Sequence, residues 1–159
     1  AESGAIIEYL VDKAGGALKP KQGTPEQRRF TYWLHFAEGS AMPFMILTLV
    51  FERIKRVKMP FFAKPIARAI CGKVQAQLID PNLQSALSFI EGHLSRHRWF
   101  CGDDLTMADF QMSFGVEALL SRATGAGDQP HLAAYRDRIR ARPAYQRAEA
   151  KGGPTIMAS

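Results

Sequence analysis

The sequence predicts an all-helical bundle. Apolar residues recur at helical spacing through nearly all of its 159 residues, and prolines and glycines fall where helices start, kink or stop. No stretch alternates apolar and polar residues as a half-buried strand would. With 47% hydrophobic and 23% charged residues the balance is that of a soluble globular domain large enough for a sizeable core.

Ile6, Ile7, Leu10 and Val11 mark one face of a first helix, which Gly15-Gly16 ends and whose N-cap is read as Ser3. Ala17 to Gly23, with Pro20, reads as a linker. Thr24-Pro25-Glu26-Gln27 is a helix start: Thr24 caps, Pro25 fits the first helical position, and Gln27 sits where a capping box wants Glu or Gln. The helix it opens runs from Pro25 to Lys55, buries Phe30, Trp33, Leu34, Ala37, Ala41 and Phe44, and is expected to kink at Pro43. After a basic break at Val57-Lys58-Met59-Pro60, a second long helix spans Phe61 to Ser95, with a kink or boundary at Asp80-Pro81.

Arg96 to Asp104 is a loop holding Trp99 and Phe100. Leu105-Thr106-Met107-Ala108-Asp109-Phe110 then carries the strongest local signal in the chain. Thr106 is expected to accept from the N–H of Asp109, Asp109 to accept from the N–H of Thr106, and Leu105 and Phe110 to form a hydrophobic staple. That helix ends near Ala123, before Thr124-Gly125-Ala126-Gly127. Short helices follow over His131 to Arg142 and Pro143 to Lys151, closed by Gly152-Gly153-Pro154.

Lys and Arg number 21 against 15 Asp and Glu, a net charge of +6. Between Glu52 and Ile79 stand Arg53, Lys55, Arg56, Lys58, Lys64, Arg68 and Lys73 against the single acid Glu52. Neither zinc-ligand spacing nor an aromatic RNA-binding motif accompanies them, so the bases read as a solvated face and no nucleic-acid partner is expected. The longest apolar stretch, Ala41 to Phe51, has 11 residues against the roughly 20 a spanning helix needs, and no membrane partner is expected either. Two cysteines make no disulfide framework, so the cytoplasm is the expected compartment; Cys71 reads as a small buried hydrophobe and Cys101 as partly exposed in a turn. His93 and His97 stand four apart on a helix end, flanking Arg96 and with no third ligand nearby in sequence, so no metal is expected. Neither a P-loop, a G-x-S-x-G elbow nor a G-x-G-x-x-G turn is present, and no catalytic residue is assigned within the chain.

Four segments in order resemble the cytosolic glutathione S-transferases over essentially the whole chain. Glu2-Ser3 before Ala5-Ile6-Ile7-Glu8-Tyr9-Leu10 resembles the glutamate–serine motif that ends that family's thioredoxin-like domain. Trp99 to Asp109 is similar to its W-hydrophobic-small-G-D-x-x-T-x-A-D loop and capping box, and Arg142 to Ala148 to its R-P-x-hydrophobic element. Tyr32 to Ser40 resembles the long fourth helix of a bacterial and fungal subgroup. The resemblance implies a helical bundle of the glutathione S-transferase C-terminal domain type over 24–159, a linker over 17–23, and over 1–16 the terminal helix of a truncated thioredoxin-like domain. The chain opens without Met and is read as beginning inside a longer protein whose upstream part holds the thiol-activating Ser, Tyr or Cys.

By the same resemblance, glutathione is a co-substrate rather than a permanently bound cofactor, and its thiolate attacks a small apolar electrophile. Ser3 would hold the γ-glutamyl carboxylate and Glu2 its amino group. Met42, Met45 and Phe114 would wall the acceptor site, Glu38 would reach glutathione across a homodimer interface, and Thr106 with Asp109 would form the structural capping box. The alternative is a non-catalytic interaction module of the same fold. Glu2-Ser3 favours the enzyme, since a pure interaction module has no need of half a glutathione site.

Overall fold

The computed structural model describes residues 2–122 and 129–153; the predicted Thr124–Gly127 turn and Pro154 lie outside the described residues. The described elements are helices α1 (Ser3–Lys13), α2 (Pro25–Phe36), α3 (Met42–Arg56), α4 (Ala63–Val74), α5 (Asp80–Leu94), α6 (Met107–Arg122), α7 (Pro130–Arg140) and α8 (Pro143–Gly152). No strand occurs among the described residues.

Both long helices are continuous but not uniformly α-helical. A wider π-helical turn, Ala37–Ala41, joins α2 to α3, and another, Gln75–Ile79, joins α4 to α5. Each ends one residue before an X-Pro step: the Met42 N–H donates to the Ala37 carbonyl ahead of Pro43, and the Asp80 N–H to the Gln75 carbonyl ahead of Pro81. A proline ring inside an α-helix clashes with the carbonyl four residues back, and the wider turn makes room for it. The kinks expected at Pro43 and Asp80-Pro81 therefore take the form of widened turns.

Continuity also lengthens the apolar element. Pro25–Arg56 is 32 residues with an 18-residue window of mean hydropathy 1.4, enough by length and composition to cross a membrane, contrary to the reading of Ala41 to Phe51 in isolation. A mostly buried core helix passes the same test; here 22% of that window is buried, and the buried side chains of Pro25–Arg56 are Phe30, Trp33, Ala37, Ala41, Met45 and Thr48.

Helix α6 is the centre of the fold, packed by α1, α2, α3 and α7. Met107, Ala108, Met112, Val116, Ala118 and Leu119 are buried on it, together with the polar Asp109, Gln111 and Glu117, as suits a helix surrounded by others. Its start is fixed by Asp109, whose carboxylate accepts from the Thr106 N–H (2.8 Å), the Phe100 N–H (3.0 Å) and the Thr106 hydroxyl (3.1 Å). One half of the expected reciprocal box differs: the Asp109 N–H goes to the Thr106 backbone carbonyl, and the Thr106 hydroxyl donates to Asp109 instead of accepting from it. The reason is Phe100, which brings a second loop N–H to the same carboxylate and pulls it over the cap.

The Trp99–Gly102 turn, closed by Trp99 N–H to Gly102 O at 2.8 Å and with Gly102 at φ +124, folds Phe100 and Cys101 inward. Cys101 is thus buried rather than partly exposed. Tyr135 of α7, fully buried, donates its hydroxyl to the Asp109 carbonyl at 2.8 Å and locks α7 onto the same cap.

Candidate functional site

Four of the residues singled out in the sequence come together with Gln111. Ser3, Glu38, Met42 and Phe114 line one groove of about 170 Å³, along with Ile7, Phe110 and Gln111. Three helices and a widened turn build it: α1 packs against α6 and supplies Ser3 from its first turn and Ile7, the π turn supplies Glu38, α3 supplies Met42, and α6 supplies Phe110, Gln111 and Phe114.

The polar end is a three-residue network. The Ser3 hydroxyl donates to Glu38 Oε1 at 2.8 Å and accepts from Gln111 Nε2 at 2.9 Å, and Gln111 Nε2 also reaches Glu38 Oε1 at 2.5 Å. Gln111 is buried, and its own Oε1 is shut away with no partner among the described residues. An amide that holds two donors on a carboxylate and a hydroxyl while leaving its acceptor orphaned is costly, by about 1–3 kcal/mol for the unpaired group. The apolar end is Met42, Phe110 and Phe114, the last 41% exposed at the groove rim. Chemically the groove offers a hydroxyl and a carboxylate beside an apolar wall, a fit for a zwitterionic head next to a hydrophobic group.

Two expectations change here. Ser3 is not the N-cap: Glu2 occupies that position with extended backbone and no side-chain cap bond, because the Ser3 hydroxyl is committed to Glu38 and Gln111. Met45 does not wall the groove, since it follows Ala41 and precedes Thr48 on the buried face of α3 and is 3% exposed. Glu38 meets Ser3 of its own chain. Glu2 is exposed at the mouth of α1.

Gln111 was missed from sequence. It stands between apolar neighbours on a core helix, and its partners lie 108 and 73 residues away, so no local pattern marks it.

Cys101 and His93 lie outside this groove. A cleft of about 710 Å³ between residues 17–24 and 97–106 has Cys101 among its lining residues. Burial pushes that thiol up to about 11, with its Thr106 hydrogen bond pulling the other way, so it stays protonated and is a poor nucleophile. His93 donates from Nε2 to the Phe100 carbonyl at 3.1 Å and packs on Trp33, and burial followed by the neighbouring His97 holds its pKa down to about 4. No third His, Cys, Asp or Glu joins His93 and His97 among the described residues.

The family described as Glutathione S-transferase, C-terminal domain matches residues 59–143. A relative from Schizosaccharomyces pombe, Glutathione S-transferase 3, is 32% identical over 118 residues, covering 74% of this chain and 48% of that protein. Glutathione S-transferase 1 of Saccharomyces cerevisiae is 25% identical over 156 residues, covering 95% and 66%. A glutathione S-transferase crystal structure from Actinobacillus pleuropneumoniae superposes with a TM-score of 0.67 at 25% identity, covering 99% of this chain and 66% of that one. The chain thus spans about half to two thirds of the length of these relatives.

Proposed function

The chain belongs to the glutathione S-transferase C-terminal domain family, and from that premise we propose that it is the helical part of an enzyme joining the glutathione thiolate to a small apolar electrophile. The observation that carries this reading is the single groove in which Ser3, Glu38 and Gln111 meet Met42, Phe110 and Phe114. The γ-glutamyl end of glutathione is zwitterionic. Its ammonium pairs with the Glu38 carboxylate, assisted by the exposed Glu2, and so draws Glu38 away from the Ser3 hydroxyl. Ser3, still accepting from Gln111, then donates its proton to the ligand carboxylate, a charge-assisted bond roughly twice as strong as a neutral one.

The chemistry itself is thiolate attack on an electrophilic carbon, with the leaving group departing as the C–S bond forms. Activation of the thiol is assigned to residues outside this chain, a reading supported by its covering 48% and 66% of two curated relatives. Glutathione enters as a co-substrate and leaves as conjugate; the apolar rim of Met42 and Phe114 holds the electrophile beside it. The protein works in the cytoplasm, where the unbridged Cys71 and Cys101 remain reduced. The same groove supports the enzyme over a non-catalytic interaction module.

The test is conjugation by the full-length gene product. Product formed from glutathione and an aryl halide is expected, with Ser3→Ala and Glu38→Gln each raising the glutathione KM about tenfold, or about 1.4 kcal/mol, at little cost in kcat. Absence of conjugation across aryl halides, alkyl halides and epoxides, together with no glutathione binding, would overturn the reading.

A further inference from the structure

The turn between α3 and α4 carries charge and apolar surface in an arrangement that the groove does not use. From Arg53 to Lys64 the sequence holds Arg53, Lys55, Arg56, Lys58 and Lys64 and no acid, and all five side chains are exposed. Among them Phe61 is 85% exposed, Phe62 65% and Val57 51%, with the two phenyl rings edge to face at 5.7 Å. Two exposed apolar stripes run back from this tip at helical spacing: Ile46, Val50 and Ile54 on α3, and Ile66 and Ile70 on α4. The Ala63 N–H donates to the Pro60 carbonyl at 3.0 Å, closing the turn that carries both phenylalanines.

We propose that this tip docks onto an anionic lipid surface, with Phe61 and Phe62 entering the acyl boundary while the five bases meet the headgroups. Phenylalanines at the point and a collar of Lys and Arg behind them are the combination an interfacial site needs: apolar area for the hydrocarbon edge, positive charge for the anionic leaflet. A second copy of this chain fits the tip poorly. A two-fold contact opposes a patch to itself, which here sets five cations against five with no carboxylate between Arg53 and Lys64 to separate them. Nucleic acid would use the cations but has no need of Val57, Ile54 and Ile66 beside them. The proposed contact is superficial and departs from the sequence expectation of no membrane partner, which considered spanning segments and not the contiguous Arg53–Lys64 tip.

Co-sedimentation of the full chain with phosphatidylcholine vesicles, with and without phosphatidylserine, tests this. Binding is expected only to the anionic vesicles and is expected to weaken with added salt. Phe61→Ser/Phe62→Ser should weaken it about tenfold or more, and Arg56→Gln and Lys58→Gln about fivefold each. Circular dichroism should show unchanged helicity, since every substituted side chain is exposed. The proposal falls if vesicles are not bound, if neutral vesicles bind equally, or if the phenylalanine variant binds as tightly as the parent. It also falls if that variant converts a dimer to a monomer in sedimentation velocity, which would assign the tip to a second copy. Equal or tighter binding to single-stranded oligonucleotide, lost in the same base variants, would assign it to nucleic acid.

Discussion

Asp109 and His93 pull the stability of this protein in opposite directions over the same pH range. Burial raises Asp109 from its ordinary 3.8 to about 6, against the Phe100 and Thr106 hydrogen bonds that lower it. Between about pH 4 and 6 the folded state therefore keeps a proton that the unfolded chain has released, and stability falls as pH rises, by about 3 kcal/mol in full. His93 is lowered from 6.5 to about 4, first by burial and then by His97. Below 6.5 the unfolded chain takes a proton that the folded state refuses until about pH 4, so this contribution rises with pH. In urea titrations across pH 4 to 7, Asp109→Asn should leave a curve that climbs with pH and His93→Gln one that falls. Identical pH slopes in parent and variants would refute both assignments. Asp109 was legible as a capping residue because its partner Thr106 lies three positions away; that the Phe100 N–H shares its carboxylate was not, since a loop donor nine residues back leaves no periodic trace.

At the scale of elements, the starts of helices were the most readable feature. Thr24 caps α2 as its sequence predicts, accepting from the Gln27 N–H at 3.3 Å, because both partners sit within one turn. Helix α7 shows the converse. Its N-cap Gln129 makes no side-chain cap bond, and the free amides are met by Glu91 of α5, which accepts from His131 N–H at 3.0 Å and Leu132 N–H at 2.9 Å. A carboxylate at a helix N-terminus also opposes the positive end of the dipole. Glu91→Ala should lower the unfolding free energy by about 1–2 kcal/mol in urea denaturation, with the loss smaller at high salt. No sequence rule finds this cap, since donor and acceptor lie 40 and 41 residues apart. The same distance argument hid Gln111, while Ser3, Glu38, Met42 and Phe114 were reachable only through resemblance to a family.

For the molecule as a whole, exposed aromatics on α2 and α5 bear on assembly. Tyr32 is 49% and Phe89 46% exposed, and they line a groove of about 330 Å³ with Phe36 and Phe44. The two-fold dimer that the family resemblance implies is proposed to form through this face; a stable contact of that kind buries on the order of 1,200–2,000 Å². Sedimentation equilibrium should show a dimer that Phe89→Glu shifts to monomer; a monomer at every concentration would remove the dimer from the proposal. The widened turn at Ala37–Ala41 joins this aromatic face to the groove in a way that composition does not convey. A π turn amounts to one residue inserted into an α-helix, and each residue of an α-helix rotates the chain by about 100°. That one extra residue sets the angular phase between everything before it, including Tyr32 and Trp33, and everything after it, including Met42 and the basic tip. Deleting Gly39 or Ser40 would leave every other residue in place along the chain yet swing α3 by roughly a quarter turn, carrying Met42 out of the groove and Met45 out of the core together.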